Sequence, residues 1–264
     1  MREMSILIQS NDVPMLHRLA LVLVLLAAGG CAWAQTDAAL LRAADSLEAQ
    51  HRYRQAAAQL DLLIQRNPTQ AAYLDRRSRL LQCLDEHTRA FIDLERADAL
   101  DGPRAYRHYQ RALMHVRLQS RAYAREAIQA GLKLDPKGAD LYALLSDLEL
   151  AANQPKAAQA AAQKALRIDR RHPLALHTLA RLDLRDGREA DARRGFEAVL
   201  EADSAHGLTC INLAALLLRS SEDTARAVRL LLGVRDLRFA PSAAGLLAAI
   251  YEATAATQPD APRQ

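Results

Sequence analysis

The chain is 264 residues long, 50% apolar, 25% charged and 4% aromatic, a content that excludes an intrinsically disordered chain and suits one folded domain or a pair. Its 35 basic and 31 acidic side chains leave a net charge of only +4, too small and too evenly spread to mark a nucleic-acid binder by itself. Val and Ile are scarce after residue 34 while Ala, Leu and Arg abound, so strands have little to be built from and the composition reads all-α.

Leu19 to Ala28 form an uninterrupted apolar run, preceded by His17 and Arg18 and followed by Gly29, Gly30 and Ala32-Trp33-Ala34. A basic flank, a short apolar stretch and small residues at a cleavage position make residues 1–34 a secretory signal, which predicts a periplasmic or secreted protein. The run falls well short of the roughly 20 apolar residues that span a bilayer. Glu3 and Asp12 suit the head of such a signal poorly, which makes Met15 a candidate start. Two processing routes stay open. Cleavage after Ala34 releases a soluble chain beginning at Gln35. Cys31, following Ala28-Gly29-Gly30, resembles a lipoprotein box, and lipidation there would tether the chain to the outer membrane. The first route fits better, because a lipoprotein box usually has Leu where Ala28 stands.

From Asp37 onward one pattern returns in five gapless blocks of 34 residues: 37–70, 71–104, 105–138, 139–172 and 173–206. The eighth place is small every time (Ala44, Ser78, Ala112, Ser146, Ala180), and the twentieth is alanine every time (Ala56, Ala90, Ala124, Ala158, Ala192). Small side chains at these places let two helices approach closely. Each block is divided by a polar break, as at His51-Arg52 or Asp186-Gly187, and closes on a breaker such as Asn67-Pro68 or Asp135-Pro136; each block therefore predicts a helical hairpin. A sixth copy over 207–241 is degenerate, its second helix slipped so that Ala227 stands where register asks for Arg226. Residues 242–256 predict a capping helix and 257–264 a frayed tail, the expected way for a stack of repeats to hide its last open face.

This pattern resembles the tetratricopeptide repeat (TPR), whose period and small-residue places it shares. The family's aromatic places are kept only in part, by Tyr53, Tyr142 and Phe196. The resemblance implies a right-handed solenoid of antiparallel hairpins, running over residues 35–206 before the degenerate copy, with a concave groove lined by the first helix of each repeat. Transferred to this chain, the groove places hold Arg76, Arg79, Tyr106, Tyr109, Arg117, His177, Arg181, Arg185, Asn212 and Arg219. Guanidinium forks suit carboxylates and tyrosines add flat contact area, so the expected partner is a protein or peptide, an acidic one by preference. Arg77 and Arg111 stand where the fourth and fifth repeats carry Leu145 and Leu179, and such a charge at a packing place either pairs with nearby acids such as Asp75 and Glu95, the better-fitting reading, or marks ligand contact at the groove edge. The Lys places with which one subclass of the family grips a terminal carboxylate hold Asp75, Tyr109 and Tyr106, so that clamp is not expected.

No histidine stands three or four residues from another, and no glycine-rich phosphate cradle or nucleophile elbow occurs in the sequence. The expectation is a non-catalytic scaffold with no metal and no cofactor, no nucleic-acid partner, and membrane attachment only through a lipidated Cys31. Self-association through the degenerate sixth repeat is a further expectation. Cys83 and Cys210 lie in different repeats, too far apart for a disulfide.

Overall fold

In the computed structural model the described residues are 36–219, 223–234 and 239–257, with side chains described as far as residue 252. The signal segment with Met15, Cys31 and Trp33, and the tail 258–264, lie outside the described residues. The described chain is all-α. Its helices are α1 (Asp37–Ala49), α2 (Tyr53–Arg66), α3 (Ala71–Cys83), α4 (His87–Asp101), α5 (Ala105–Arg117), α6 (Arg121–Leu134), α7 (Ala139–Ala151), α8 (Pro155–Ile168), α9 (Pro173–Arg185), α10 (Glu189–Ala202), α11 (Gly207–Arg219), α12 (Thr224–Leu232) and α13 (Ala240–Thr257). They pack as successive antiparallel hairpins: α1 on α2, α3 on α4, α5 on α6, α7 on α8, α9 on α10 and α11 on α12.

The hairpins recur because one backbone device recurs. His51, Asp85, Gln119, Asn153 and Gly187, each 34 residues after the last, all adopt positive φ between 56° and 78°. The amide one residue further on then reaches back over the helix end: Arg52 to the Leu47 carbonyl at 2.8 Å, Glu86 to Leu81 at 2.9 Å, Ser120 to His115 at 2.8 Å, Gln154 to Glu149 at 2.8 Å and Arg188 to Asp183 at 2.9 Å. This left-handed closure satisfies carbonyls that the helix end leaves unpaired and reverses the chain in two residues. Across the hairpin, the eighth-place and twentieth-place residues have at most 1% exposure in all five blocks; a bulkier side chain would push the paired helices apart. In the sixth hairpin α12 begins at Thr224, one residue late, and it is Ala227 that is buried there.

The chain divides into two compact units, Met1–Gly102 and Pro103–Gln264. The boundary falls at the end of the second block. At three other block ends an aspartate ties the link, the Asp135, Asp169 and Asp203 carboxylates each accepting the amide two residues on at 3.0 Å. At the second block end α4 runs one residue further and takes Asp101 into the helix, and Gly102 follows at φ 83° before Pro103. The core of the first unit is built on Leu40, Leu60, Leu63 and Leu80, with a second group around Leu74 and Ala97. In the second unit Ile128 with Leu144, Ala162 with Ala175, and Phe196 with Leu213 and Leu217 mark three successive cores.

Candidate binding surface

In the first unit, Arg76 of α3 is already engaged. Its Nε and Nη2 donate to Glu48 Oε2 at 3.2 and 2.9 Å, and Nη2 also reaches Asp45 Oδ1 at 2.5 Å. Both acids belong to α1, so this arginine joins two neighbouring first helices. Arg79, one turn further along α3, is exposed. Arg77 is a clamp: Nε and Nη2 donate to the Asp93 carboxylate at 2.7 and 2.5 Å and Nη1 to Asp61 at 2.7 Å. The bond to Asp93 leads the causes that push its pKa up, ahead of the opposing burial. The expected partners, Asp75 and Glu95, are replaced by Asp61 of α2 and by Asp93, two places before Glu95 on α4. Two residues along a helix is a rotation of about 200°, which puts Asp75 and Glu95 on other faces.

In the second unit, α5 and α7 lie side by side, as do α7 and α9. Tyr106 is 44% exposed, next to a fully buried Arg107 whose guanidinium carbon lies 5.4 Å from the Tyr106 ring centroid. Tyr109 is half-buried; burial, with the Asp140 charge behind it, pushes its hydroxyl pKa up to about 12. Arg117 is half-buried. Arg181 Nη1 donates to Asp147 Oδ1 of α7 at 2.8 Å, and Arg219 pairs with Glu189. Arg185 is exposed at the last position of α9. Arginines 181 and 219 thus hold one helix to the next, while Arg79 and Arg185 present their charge to solvent.

His177 is a correction. Expected to line the groove, it is fully buried; at the same place of the neighbouring blocks Ala143 is fully buried and Ile211 is 9% exposed, while Tyr109 is half-buried. One assignment of protons satisfies the imidazole. Its Nδ1–H donates to Thr209 Oγ1 at 2.8 Å, the Thr209 hydroxyl donates to His206 Nδ1 at 2.7 Å, and Asn212 Nδ2–H donates to His177 Nε2 at 3.4 Å. The Phe196 and His206 rings close the site at centroid distances of 5.5 and 5.2 Å. Burial first, then the His206 and Arg181 charges, lower the His177 pKa to about 3, so it is a neutral joint between α9 and α11. Asn212, directed at His177, belongs to the same joint.

The first helices also carry an aliphatic series. Val116, Leu150, Leu184 and Leu218 occupy the twelfth place of four consecutive first helices, and all four are half-buried. The 34-residue spacing was a visible signal for them. Two clefts among the described residues, one of about 430 Å³ beside Glu197 and Arg226 and one of about 320 Å³ between Gln159, Leu182 and Arg188, are lined by none of the expected groove residues. Among the described residues no group of three or more His, Cys, Asp or Glu side chains is placed to hold a metal ion. Cys83 is exposed and Cys210 buried, both as free thiols; burial, with the Asp203 charge behind it, pushes the Cys210 pKa up. No described helix is long and apolar enough to cross a membrane.

No protein-family model matches the chain, and no curated protein matches it in sequence. Solved structures do. A TPR protein of Thermus thermophilus superposes with a TM-score of 0.58 at 20% identity, over 69% of this chain and 100% of the other. PilW, a widely conserved type IV pilus biogenesis factor, gives 0.57 at 17% identity over 75% and 91%. The APC/C hetero-tetramer Cut9-Hcn1 gives 0.66 at 14% identity, over 80% of this chain but 42% of the matched chain. This protein thus spans less than half the length of that relative. The fold is the TPR arrangement of sequential helical hairpins.

Proposed function

We propose that the protein is an exported, non-catalytic scaffold that binds a partner protein or peptide along the first helices of its second unit, in support of envelope assembly, secretion or surface-polymer export. The observation that carries this reading is the aliphatic series Val116, Leu150, Leu184 and Leu218 with the exposed Arg185 immediately after Leu184. Apolar contact area beside an available guanidinium favours a segment that carries acidic and aliphatic side chains together. Many proteins of this fold work by holding others; Cut9-Hcn1 is itself a protein complex, and the likeness to a pilus biogenesis factor agrees with a role in the envelope.

A photo-crosslinking side chain placed at Leu150 or Leu184 should capture a discrete partner in intact cells, and one at Arg167 should not. Capture should weaken when Arg185→Glu is added and persist when Arg167→Glu is added. Equal labelling from both faces would refute the reading. A second reading rests on Cys31 after Ala28-Gly29-Gly30: an outer-membrane lipoprotein serving as a subunit of a larger complex. The mass of the mature amino terminus separates the two, since Gln35 supports release and diacylated Cys31 supports the tether.

A further inference from the structure

The last helix, α13, packs against both α11 and α12, as the first helix of a seventh hairpin would. It begins where that hairpin's first helix is due, since Pro241 follows Gly207 by 34 residues. In the six hairpins before it, the eighth-place residue is covered by its second helix: Ala44, Ser78, Ala112, Ser146, Ala180 and Ala214 are at most 1% exposed. Ala248, which holds that place in α13, and Ala249 beside it are both exposed. No described helix covers them. Of the described side chains on α13 only Glu252 is charged, so the uncovered face is apolar along most of its length.

We infer that this face is an interface between two copies of the chain, formed by antiparallel pairing of α13 with α13 of the partner. The pattern is its own complement. From Pro241 to Glu252 the exposed positions 241, 242, 244, 245, 248, 249, 251 and 252 are symmetric about the midpoint between Leu246 and Leu247. A twofold axis there sets Gly245 against Ala248 and Ala244 against Ala249, small against small. A Cβ added at Gly245 would meet nothing within 4 Å, which leaves open the space a second helix needs. The same axis brings Glu252 of one copy to the α13 amino terminus of the other, where the helix dipole is positive. An isologous pair makes that contact twice. Leu232, 65% exposed on the adjoining α12, and Tyr251, 59% exposed, widen the apolar margin. The surface continues the packing that the six hairpins repeat, with the second copy in the position that a second helix takes in each of them.

The area is modest. An 18-residue helix is about 27 Å long, and one face of it supplies less than the ~800 Å² per partner of a standard interface, so the dimer should dissociate in the micromolar range. Sedimentation velocity of the mature chain from about 1 to 300 µM should show a monomer passing to a dimer. Ala248→Glu, which buries a charge at the centre of the pair, should weaken association at least tenfold. Glu252→Lys should weaken it about threefold or more by reversing the dipole contact. Circular dichroism of both variants should keep wild-type helicity. A wild-type chain that stays monomeric to 300 µM, or a dimer that Ala248→Glu leaves intact, overturns the inference; a monomer that binds a helix from another protein at this face does so as well. If Ala248→Glu lowers helicity, Glu252→Lys on the rim decides alone, and an unchanged dissociation constant refutes the pairing.

Discussion

Two joints within this molecule solve the same packing task with opposite chemistry. Where the first two hairpins meet, a charge is buried: Arg77 of α3 links Asp61 of α2 to Asp93 of α4, and the Asp93 side chain is only 2% exposed. Where the fifth and sixth hairpins meet, the buried polar group is a neutral imidazole, His177, held by Thr209 and Asn212 of α11. A charged clamp tolerates no missing member, because the survivor is left as an unpaired ion in the core. A neutral relay tolerates loss better but is open to protons. The same repeat geometry thus carries two kinds of vulnerability, and substitutions at the two joints should differ in size and in pH dependence.

The largest effect is expected at the charged joint. Arg77→Ala strands Asp93 and should lower stability in urea unfolding by about 3 kcal/mol or more. Arg77→Met combined with Asp93→Leu should recover most of that loss, since an apolar pair of similar volume removes the unpaired charge. A double variant as unstable as Arg77→Ala would mean that the clamp contributes through its hydrogen bonds to Asp61 rather than by neutralising Asp93.

At the neutral joint the variable is pH. The folded His177 pKa is lowered to about 3, by burial first and then by His206 and Arg181, whereas an unfolded histidine titrates near 6.5. Below about 6.5 the unfolded chain takes up a proton that the folded chain refuses. The contribution is therefore complete above pH 6.5 and is lost as pH falls toward 3, at about 1.4 kcal/mol per pH unit. The protection factors of α9 and α11 amides, taken relative to the intrinsic exchange rate at each pH, should fall across that window, and His177→Gln should flatten the difference. If wild type and variant show parallel pH curves, the imidazole is not the group that titrates.

How far the sequence carried this picture depended on what repeats. Alanine at each twentieth place and a left-handed residue after each first helix are properties of single positions in one register, so the hairpins were legible from spacing alone. The joints are properties of pairs. Arg77 finds Asp61 and Asp93, each 16 residues away, by helix rotation rather than by nearness in sequence, which is why Asp75 and Glu95 are not its partners. His177 was misplaced for a related reason: a family-wide place number takes no account of which helix face the neighbouring hairpin covers in this chain. The Leu150 and Leu184 series repeats at 34-residue spacing, but the partial exposure of an aliphatic side chain is set by the hairpin packed beside it and is not a property of one position.

Packing inside a single hairpin sets the scale against which both joints are read. Ala158 of α8 is fully buried at a twentieth place, so Ala158→Leu should overpack the fourth hairpin and cost about 1–3 kcal/mol. Lys156, exposed on the same helix, should be replaceable by Ala within about 0.5 kcal/mol. Equal melting temperatures for the two variants would contradict the register.

The smallest effect concerns the turns, which are common to hairpins on both sides of the comparison and should ignore the chemistry of the joints. Gln119 holds φ 56° between α5 and α6, while Gly187 holds φ 78° at the equivalent place between α9 and α10. A side chain with a Cβ pays a steric penalty in the left-handed region that glycine escapes, partly offset by the greater freedom glycine loses on folding. Gln119→Gly should therefore stabilise the protein by about 0.5–1 kcal/mol, and Gly187→Gln should destabilise it by a similar amount. An added Cβ at Gly187 meets nothing within 4 Å, so any loss there is conformational rather than a clash. Opposite signs of near-equal size would show that the turn is energetically independent of the joint beside it. A Gly187→Gln loss that grows as pH falls from 6.5 toward 3 would instead couple the α9–α10 turn to the buried imidazole on α9.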